Sequence, residues 1–341
     1  MPDLRLSPTQ RQLTLEDLDE RVHKALGVRV TDCTEFKGGY FAAVWRCDLE
    51  DGRGVVVKVG PPASVPILTY ELDALTAEAE YFRLLGDMPG VPVPDVLASG
   101  RDDDGGDWLI TQLLPGTPLA ELTGKITDEE EAGVRRALGA AVARVHTVVG
   151  PHYGYTGGRR AHAETWREAY RGFMNELLDD AVRYDWDLPV PAARVTDAIE
   201  RHAHVLDAIQ TPALLHFDLW DGNVLVARDA DGAFRITGLV DGERYLYGDP
   251  LLDFVSPALF RHIEDEPDGP FLTGYAEGAG APVTLDEHAR IRLGLYRLHL
   301  YLVMNVEPVV RGLAGPEHAD HRRQLADLLI GELTALEGLT S

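Results

Sequence analysis

Apolar and polar positions follow two different periods along the chain. Segments with the period of two that is typical of half-buried strands occur at 29–36, 42–49, 54–59 and 107–113, and turns that contain Gly separate the first three. Helical spacing of apolar residues predicts helices at 14–26 and 74–85 in the same region. The pattern therefore predicts a small antiparallel sheet with helices packed on it in the first third of the chain.

The rest of the chain is dominated by the helical period. Predicted helices lie at 128–148, 165–184, 197–210, 256–262, 270–278, 285–306 and 316–336. The stretch 214–254 differs, because two short strands at 224–227 and 234–240 flank a turn and predict a hairpin. The chain is therefore predicted to have an α+β fold in which a strand-rich part precedes a mostly helical part.

The composition is that of a globular protein with an excess of acidic residues. Of 341 residues, 45% are hydrophobic, and 32 basic residues against 56 acidic residues give a formal net charge of −24. A nucleic-acid partner is not expected, since phosphate backbones are bound by an excess of Lys and Arg. The negative charge fits either a cleft that attracts cationic small molecules or, as we favour on charge alone, a soluble acidic surface.

Neither a disulfide framework nor a membrane span is predicted. The chain has two cysteines, Cys33 and Cys47, which we expect to lie opposite each other across a hairpin as free thiols. The most apolar stretch, 293–306, is interrupted by an Arg and a His, and residues 1–13 lack the apolar run of a signal peptide. We therefore expect a cytoplasmic protein that does not interact with membranes.

The stretch 214–254 also concentrates acidic and amide side chains. His216, Asp218 and Asn223 form the pattern H-x-D-x-x-x-x-N, and the hairpin that follows brings Asp241 next to Asn223. Mg²⁺ is held by protein oxygens together with substrate phosphates. In kinases a loop Asn and an Asp after the next strand hold this ion, while the loop Asp accepts the proton of the acceptor hydroxyl. The spacing predicts Asp218 as the catalytic base and Asn223 and Asp241 as metal ligands, whereas one such motif alone would indicate only a polar hairpin.

A lysine in a predicted strand and a glutamate in a predicted helix extend this pattern. Lys58 interrupts the valines of 54–59, and a lysine so placed either lies at a sheet edge or contacts a partner. Glu78 lies among the apolar positions of its helix and therefore requires a cation. In kinases a strand Lys held by a helix Glu orients the α- and β-phosphates of the nucleotide. Gly38 and Gly39 predict either a phosphate-covering loop or only a tight turn.

These motifs resemble those of the aminoglycoside phosphotransferase superfamily, which includes antibiotic kinases, choline kinases and fructosamine kinases. The segments HFDLWDGN at 216–223 and VDGERYLYGDPLLDF at 240–254 are similar to the family pattern H-G-D-x-x-x-x-N followed by I-D-W/G-E-x-x-x-x-G-D-P-x-x-D. Phe217 replaces the usual Gly and is expected to place a ring where the acceptor approaches. The resemblance implies a protein-kinase-like bilobal fold, with a nucleotide-binding lobe over 1–112 and a catalytic and acceptor-binding lobe over 113–341.

The resemblance extends to further positions. DWLITQLLPGTPL is similar to the family's hinge, which implies backbone contacts from Gln112 and Leu114 to adenine. His216 is expected to buttress the catalytic loop. Local structure is expected to be fixed by Glu243, Asp249 and Asp253. Acids of the C-terminal helices bind acceptor amino groups in antibiotic kinases, although most such acids are expected to be surface charges. The candidates here are Glu264, Asp265, Glu266 and Glu307.

The predicted reaction is the transfer of the γ-phosphoryl group of ATP, with GTP not excluded, to a hydroxyl of a small polar molecule with the help of Mg²⁺. An aminoglycoside-like antibiotic is the first candidate acceptor, and an amino sugar or another metabolite is the alternative. A protein kinase is disfavoured because no D-F-G or A-P-E sequence follows Asp241. A pseudokinase module without turnover is a further alternative, and a monomer and a homodimer are both compatible with the sequence.

Overall fold

The computed structural model describes residues 7–37, 39–156 and 163–339. Its first part is a five-stranded antiparallel sheet with strand order β1-β2-β3-β5-β4 and two helices. The elements are α1 (Leu15–Leu26), β1 (Val30–Glu35), β2 (Ala43–Leu49), β3 (Gly54–Val59), α2 (Ala74–Leu85), β4 (Val96–Arg101) and β5 (Asp107–Gln112). α1 covers one face of the sheet, and its buried Leu18 and Val22 form a small core with β2, β3 and β5.

The second part is mostly helical and contains two three-stranded sheets, with orders β10-β9-β6 and β7-β11-β8. Its strands are β6 (Thr117–Pro118), β7 (Gly154–Tyr155), β8 (Ala213–Leu215), β9 (Val224–Arg228), β10 (Phe234–Leu239) and β11 (Leu246–Gly248). Its helices are α3 (Asp128–Val145), α4 (Trp166–Arg183), α5 (Ala192–His202), α6 (Pro270–Ala279), α7 (Glu287–Val306) and α8 (Ala319–Gly338). The predicted α+β class is confirmed, whereas the lobe boundary between residues 112 and 113 stays a prediction.

Local sequence explains where several helices begin. α1, α3 and α4 each start with a capping box in which a Thr side chain accepts from the third helical amide while an acid in that position accepts from the Thr amide. Each such cap stabilises its helix by roughly 0.5–2 kcal/mol, because it satisfies amide groups that have no partner within the helix. The Thr and acid pairs are Thr14 with Asp17, Thr127 with Glu130, and Thr165 with Glu168.

Glycine allows α3 and α6 to pack closely in the helical part. A Cβ atom at Gly139 would lie 2.0 Å from the carbonyl oxygen of Phe271, and one at Gly274 would lie 1.8 Å from that of Arg136. Both distances are far below van der Waals contact, so the two helix backbones can approach only because side chains are missing at these positions. α3 then supplies a fixed support for the hairpin formed by β9 and β10.

The structure corrects two predicted helices and agrees with two other expectations. Residues 256–262 form turns rather than a helix, with Phe260 at a φ of +63°, and the predicted helix at 197–210 begins earlier, as α5, and continues as a 3₁₀ segment. Cys33 and Cys47 are direct cross-strand partners and are free thiols. Within the described residues, no helix combines the length and apolar character that crossing a membrane requires.

A buried ion-pair triad holds α7 and α8 together. The guanidinium of Arg297 on α7 donates to Glu332 on α8 at 2.9 and 3.0 Å and to Glu264 at 2.9 Å. All three side chains are buried. The expectation that Glu264 lies at the surface or binds an acceptor is therefore wrong.

Substitution of Arg297 by Met is expected to lower the free energy of unfolding by about 3–5 kcal/mol, because two carboxylates would stay buried without a counter-charge. Urea denaturation followed by circular dichroism measures this change. Arg323→Met is the control, since Arg323 is 71% exposed and pairs with the exposed Asp320. A loss below about 1 kcal/mol for Arg297→Met, similar to an ordinary surface substitution, would contradict the assigned role.

Candidate active site

A buried ion pair joins the sheet to α2. Lys58 Nζ on β3 lies 2.7 and 2.9 Å from the two carboxylate oxygens of Glu78, whose side chain is fully buried. β3 lies between β2 and β5, so the alternative that Lys58 extends from a sheet edge is wrong. Because an unpaired charge is costly to bury, each of these residues depends on the other.

Lys58 also contacts the carboxylate of Asp241, which follows β10. Burial alone would lower the pKa of the Lys58 ammonium, but Asp241 and Glu78 outweigh burial and raise it. Burial alone would likewise raise the pKa of Asp241, but Lys58 lowers it overall. Asp241 has a φ of +61° and its side chain is 43% exposed, so its carboxylate faces solvent as well as Lys58.

The hairpin of β9 and β10 places Asn223 and Asp241 side by side. The amide of Val240 donates to the carbonyl oxygen of Asn223 at 3.1 Å, which brings the start of one strand next to the end of the other. The side-chain nitrogen of Asn223 donates to the carbonyl oxygen of Asp218 at 2.8 Å. The amide oxygen of Asn223 is therefore left to accept from another group or to bind a cation.

The loop before this hairpin is held by one buried carboxylate. Asp253 accepts from the backbone amide of His216 at 2.8 Å and from that of Phe217 at 2.5 Å, and it also contacts His146 Nε2 at 3.1 Å. Ser256 Oγ accepts from the amide of Leu219, two residues after Phe217, at 2.9 Å. Asp253 therefore holds the backbone of the loop through its amides, in agreement with the expected structural role of Asp253.

His216 connects the loop to the hairpin. Its Nε2 donates to the carbonyl oxygen of Val240 at 3.0 Å, and its Nδ1 accepts from the amide of Asp218 at 3.2 Å. One nitrogen donates while the other accepts, as a neutral imidazole does. Burial lowers the pKa of His216 and favours the same neutral form. The structure thus gives His216 the expected buttressing position.

Phe217 adopts a backbone conformation that favours glycine. Its φ is +65°, which explains why the family pattern has Gly at this position. The Phe217 ring is fully buried and stacks on His299 with a centroid distance of 4.8 Å and an interplanar angle of 3°. Burial lowers the pKa of His299 to about 3, so the stacked imidazole is neutral. The expectation that the Phe217 ring affects acceptor approach is therefore wrong.

Asp218 is the partly exposed acid of the loop. Burial raises the pKa of its carboxyl to about 6, although the nearby Arg244 guanidinium acts in the opposite direction. Arg244 Nε lies 3.8 Å from Asp218 Oδ2, and Arg244 Nη2 lies 2.6 Å from the carboxylate of Glu307. At neutral pH the Asp218 carboxylate is mostly ionised and lies beside a guanidinium.

Glu243 belongs to the same cluster, whereas the sequence suggested only a structural role. Burial raises the pKa of its carboxyl to about 8, with Lys58 lowering that pKa and the acids Glu78 and Asp241 raising it. At neutral pH Glu243 is mainly protonated. Glu243 therefore does not add a third full negative charge to those of Glu78 and Asp241.

The glycine turn is braced by the segment that precedes α1. Gln10 Nε2 donates to the carbonyl oxygen of Gly39 at 2.8 Å, and Thr9 Oγ1 donates to that of Tyr40 at 2.7 Å. Thr9 is buried, so this contact is shielded from water. Gly38, the other predicted glycine of the turn, lies outside the described residues.

The predicted hinge follows β5. The backbone amide of Gln112 donates to the carbonyl oxygen of Asp95 at 2.9 Å, and that of Leu113 donates to Gly54 at 3.2 Å. The backbone amide of Gln112 is therefore engaged within the protein, and a backbone contact of Gln112 to adenine stays a prediction. Leu114 follows two residues after Gln112, and its backbone contact with adenine also stays a prediction.

Several residues near Asp218 were not predicted from sequence. Arg244 lies inside the 240–254 motif, and its charge close to the predicted metal ligand Asp241 is a signal that could have pointed to it. Tyr70 donates to Glu307 and lies under Arg244, whose guanidinium is 5.3 Å from the ring centroid. Neither a motif nor a periodic pattern in the sequence predicts the role of Tyr70, because its partners lie in distant segments of the chain.

Comparison with known proteins places these motifs in one family. Residues 32–293 match the model of the family described as "Phosphotransferase enzyme family". A protein of Lactiplantibacillus plantarum named "Probable ketoamine kinase" is 26% identical over 72% of this chain and 78% of its own length. An aminoglycoside 3'-phosphotransferase of Streptomyces fradiae is 27% identical over 67% of this chain and 82% of its own length.

A solved structure has the same fold over nearly the whole chain. The crystal structure of a candidate fructosamine-3-kinase of Thermobifida fusca superposes with a TM-score of 0.64 and 25% identity, and covers 93% of this chain and 98% of that one. The matched family region includes the Lys58 pair, the loop that contains Asp218 and the hairpin that contains Asp241. The chain therefore belongs to the phosphotransferase enzyme family and is a small-molecule phosphotransferase with a protein-kinase-like fold.

Proposed function

We propose that this protein transfers the γ-phosphoryl group of ATP, with Mg²⁺, to a hydroxyl of a small polar acceptor. The observation that carries the proposal is the proximity of three groups: Lys58, held by Glu78, and the partly exposed carboxylates of Asp241 and Asp218. These are the groups that phosphoryl transfer uses for phosphate binding, metal binding and proton transfer. GTP as donor stays an alternative, because the hinge contacts come from backbone atoms.

The nucleotide side is assigned to the strand-rich lobe, over 1–112. Lys58 would bind the α- and β-phosphates, and the turn at Gly38 and Gly39 would cover them with backbone amides. The Gly39 and Tyr40 carbonyl oxygens accept from Gln10 and Thr9, which holds these two residues in place. Adenine would contact the carbonyl oxygen of Gln112 and the backbone of Leu114.

The donor set around the hairpin fits Mg²⁺. Asp241 provides a carboxylate that already faces a cation, and Asn223 provides an amide oxygen whose nitrogen is engaged elsewhere. Hard oxygen donors of this kind, one or two per ion, suit Mg²⁺ when phosphates complete its shell. When bound, the ion would supply positive charge that offsets charge on the transferred group.

Asp218 is proposed as the base that orients and deprotonates the acceptor hydroxyl. Its side chain is 21% exposed, so a hydroxyl can reach it. Asp253 and the His216 ring hold the backbone amides of residues 216 to 218. A pKa of about 6 keeps the carboxylate ionised at neutral pH while it stays basic enough to accept a proton. The catalytic lobe, 113–341, would also hold the acceptor.

Two acceptor classes are supported by different relatives. The names of the Lactiplantibacillus and Thermobifida proteins indicate ketoamines, which are amino-substituted sugars, and that of the Streptomyces enzyme indicates aminoglycosides. Both classes present hydroxyl groups and amines. The sequence-based preference for an antibiotic is therefore replaced by two equal candidates, and a coupled ADP-release screen of both classes would separate them.

Substitution of Asp218 by Asn is expected to lower kcat by about 10²–10⁴-fold, because the base is removed while the volume of the side chain is kept. Steady-state kinetics with the acceptor found in the screen measures this loss, and calorimetry with Mg-AMP-PNP should show unchanged nucleotide binding. Asp231→Asn, at the exposed turn of the hairpin, is the control. Full turnover by the Asp218 variant would refute the proposed base.

Substitution of Asp241 by Asn is expected to weaken binding of Mg-AMP-PNP by more than about tenfold, because a charged metal ligand is lost. Titration calorimetry with and without Mg²⁺ measures the effect, and nucleotide binding without metal should change little. The matched control is again Asp231→Asn, which removes a charge from the same hairpin. Equal weakening with and without Mg²⁺ would show that Asp241 does not act through the ion.

The rate of the reaction is expected to fall in acid. Because the pKa of Asp218 is raised to about 6, the carboxylate becomes protonated as the pH falls through that value, and the base is lost. A profile of kcat/KM between about pH 4.5 and 8 should therefore show an acid limb with a midpoint near 6. A midpoint near 4, the ordinary value for an Asp, would contradict the assigned environment.

A further inference from the structure

We infer that Arg135 on α3 is a positioning residue for Asn223, the proposed magnesium ligand, and that it acts through the carboxylate of Asp221. The inference rests on the proposed function, in which Asn223 and Asp241 bind the ion. Arg135 lies outside the sequence motifs that carry the family resemblance. Its role follows from the contacts that hold the second half of the catalytic loop, residues 220–223.

The two halves of the catalytic loop, 216–219 and 220–223, are held by different groups. In the second half, the amide of Asn223 donates within the loop, to the carbonyl oxygen of Trp220 at 2.9 Å. The carboxylate of Asp221 connects this half to α3. Buried side chains accept from the amides of the first half, and they are Asp253, His216 and Ser256.

The local sequence of the second half gives the backbone little support. Asp221–Asn223 is a single 3₁₀ turn with Gly222 at its centre. Glycine loses more conformational freedom than any other residue when it is fixed, and 3₁₀ turns have poor hydrogen-bond geometry. A residue with a side chain is excluded here, since a Cβ atom at Gly222 would lie 2.2 Å from the ring of Trp220. The turn therefore depends on contacts from outside the loop.

Arg135 provides such a contact. Its Nη1 and Nη2 donate to the two carboxylate oxygens of Asp221, at 2.5 and 2.6 Å. A two-pronged pair of this kind fixes direction as well as distance. Nη2 also donates to Glu131 at 3.0 Å, and Nη1 donates to the carbonyl oxygen of Pro257 at 3.4 Å. The Arg135 side chain is only 12% exposed, so the pair is better shielded from water than an ordinary surface pair.

The part of α3 that carries Arg135 has a fixed position. The carbonyl oxygen of the next residue, Arg136, lies against Gly274 of α6, where a side chain would not fit. Arg135 therefore extends from a backbone that is packed directly on another helix. Through Asp221 it transmits this position to the turn that ends at Asn223.

The side chain of Asn223 then has one orientation left for its oxygen. Its Nδ2 donates to the carbonyl oxygen of Asp218 at 2.8 Å, and its own carbonyl oxygen accepts from the amide of Val240 at 3.1 Å. Both contacts require the turn to keep its position. Loss of the Arg135 pair is thus expected to reach the metal ligand without removing any group that binds the ion.

Substitution of Arg135 by Gln is expected to weaken binding of Mg-AMP-PNP by about tenfold or more, since groups that orient metal ligands typically contribute about 10–100-fold. Calorimetric titration of the full-length protein measures the effect, and nucleotide binding without Mg²⁺ should change little. Arg136→Gln is the matched control, because Arg136 is the next residue on α3, is 55% exposed and pairs with Glu277. The control should bind nucleotide like the native protein under both conditions.

Two further measurements separate positioning from a general loss of structure. Asp221→Asn should reproduce the loss, and the double variant should lose no more than either single variant, because the two side chains act as one pair. Amide hydrogen exchange of the metal-free protein should become faster at 220–223 in each variant while α3 and the hairpin of β9 and β10 stay protected. Circular dichroism should show the native fold, since Asp221 and Glu131 are exposed enough to be hydrated without Arg135.

Native-like Mg-AMP-PNP binding by Arg135→Gln would overturn the inference. So would equal weakening with and without Mg²⁺, which would make the pair purely structural, and so would unchanged exchange at 220–223. Failure of the proposed function has a different signature, because the native protein itself would then bind AMP-PNP equally well with and without Mg²⁺. A native protein that needs Mg²⁺ and an Arg135 variant that needs it equally would contradict the inference alone.

Discussion

Each buried charge in this protein requires a partner of opposite charge or a hydrogen-bond donor. This requirement determines the positions of Lys58, Asp218 and Asp241. Asp253 has no exposed surface, and its carboxylate is satisfied by the amides of His216 and Phe217 and by His146. Because an unsatisfied buried carboxylate is costly, the loop cannot move without breaking several bonds at once. The position of Asp218 in this loop is therefore determined by Asp253, which is too deeply buried to contact a substrate.

The same constraint divides the acids around Lys58 into two kinds. Glu78 is fully buried and has Lys58 as its cation, so the two residues act as one fixed unit. Asp241 contacts the same ammonium but is 43% exposed, so it can accept a second partner from solvent without losing the first. Glu243 completes the group in a mainly neutral form. The group around Lys58 thus combines a buried ion pair with one carboxylate that is partly exposed to ligands.

Local sequence predicts most elements and the pairs that lie on them. Lys58 and Glu78 could be placed because strand and helix periods determine which side a residue faces. Asn223 and Asp241 could be placed because a predicted hairpin brings its two ends together. The turns at 256–262 were missed, because a run of apolar residues has the same pattern in a helix and in buried turns. The pair of Arg244 and Glu307 was missed for a different reason. Its residues belong to separate segments that only the tertiary fold brings together, and neither follows a period.

Phe217 shows how one backbone angle can tie two positions together. At a φ of +65° a glycine would avoid steric cost, yet the benzyl group fills the space over His299. A glycine at 217 would relieve the positive φ but leave a cavity as large as a phenyl ring beside His299. The ring thus couples the backbone of the loop to the packing of α7, because the residue that carries the unfavourable angle also fills the space over His299.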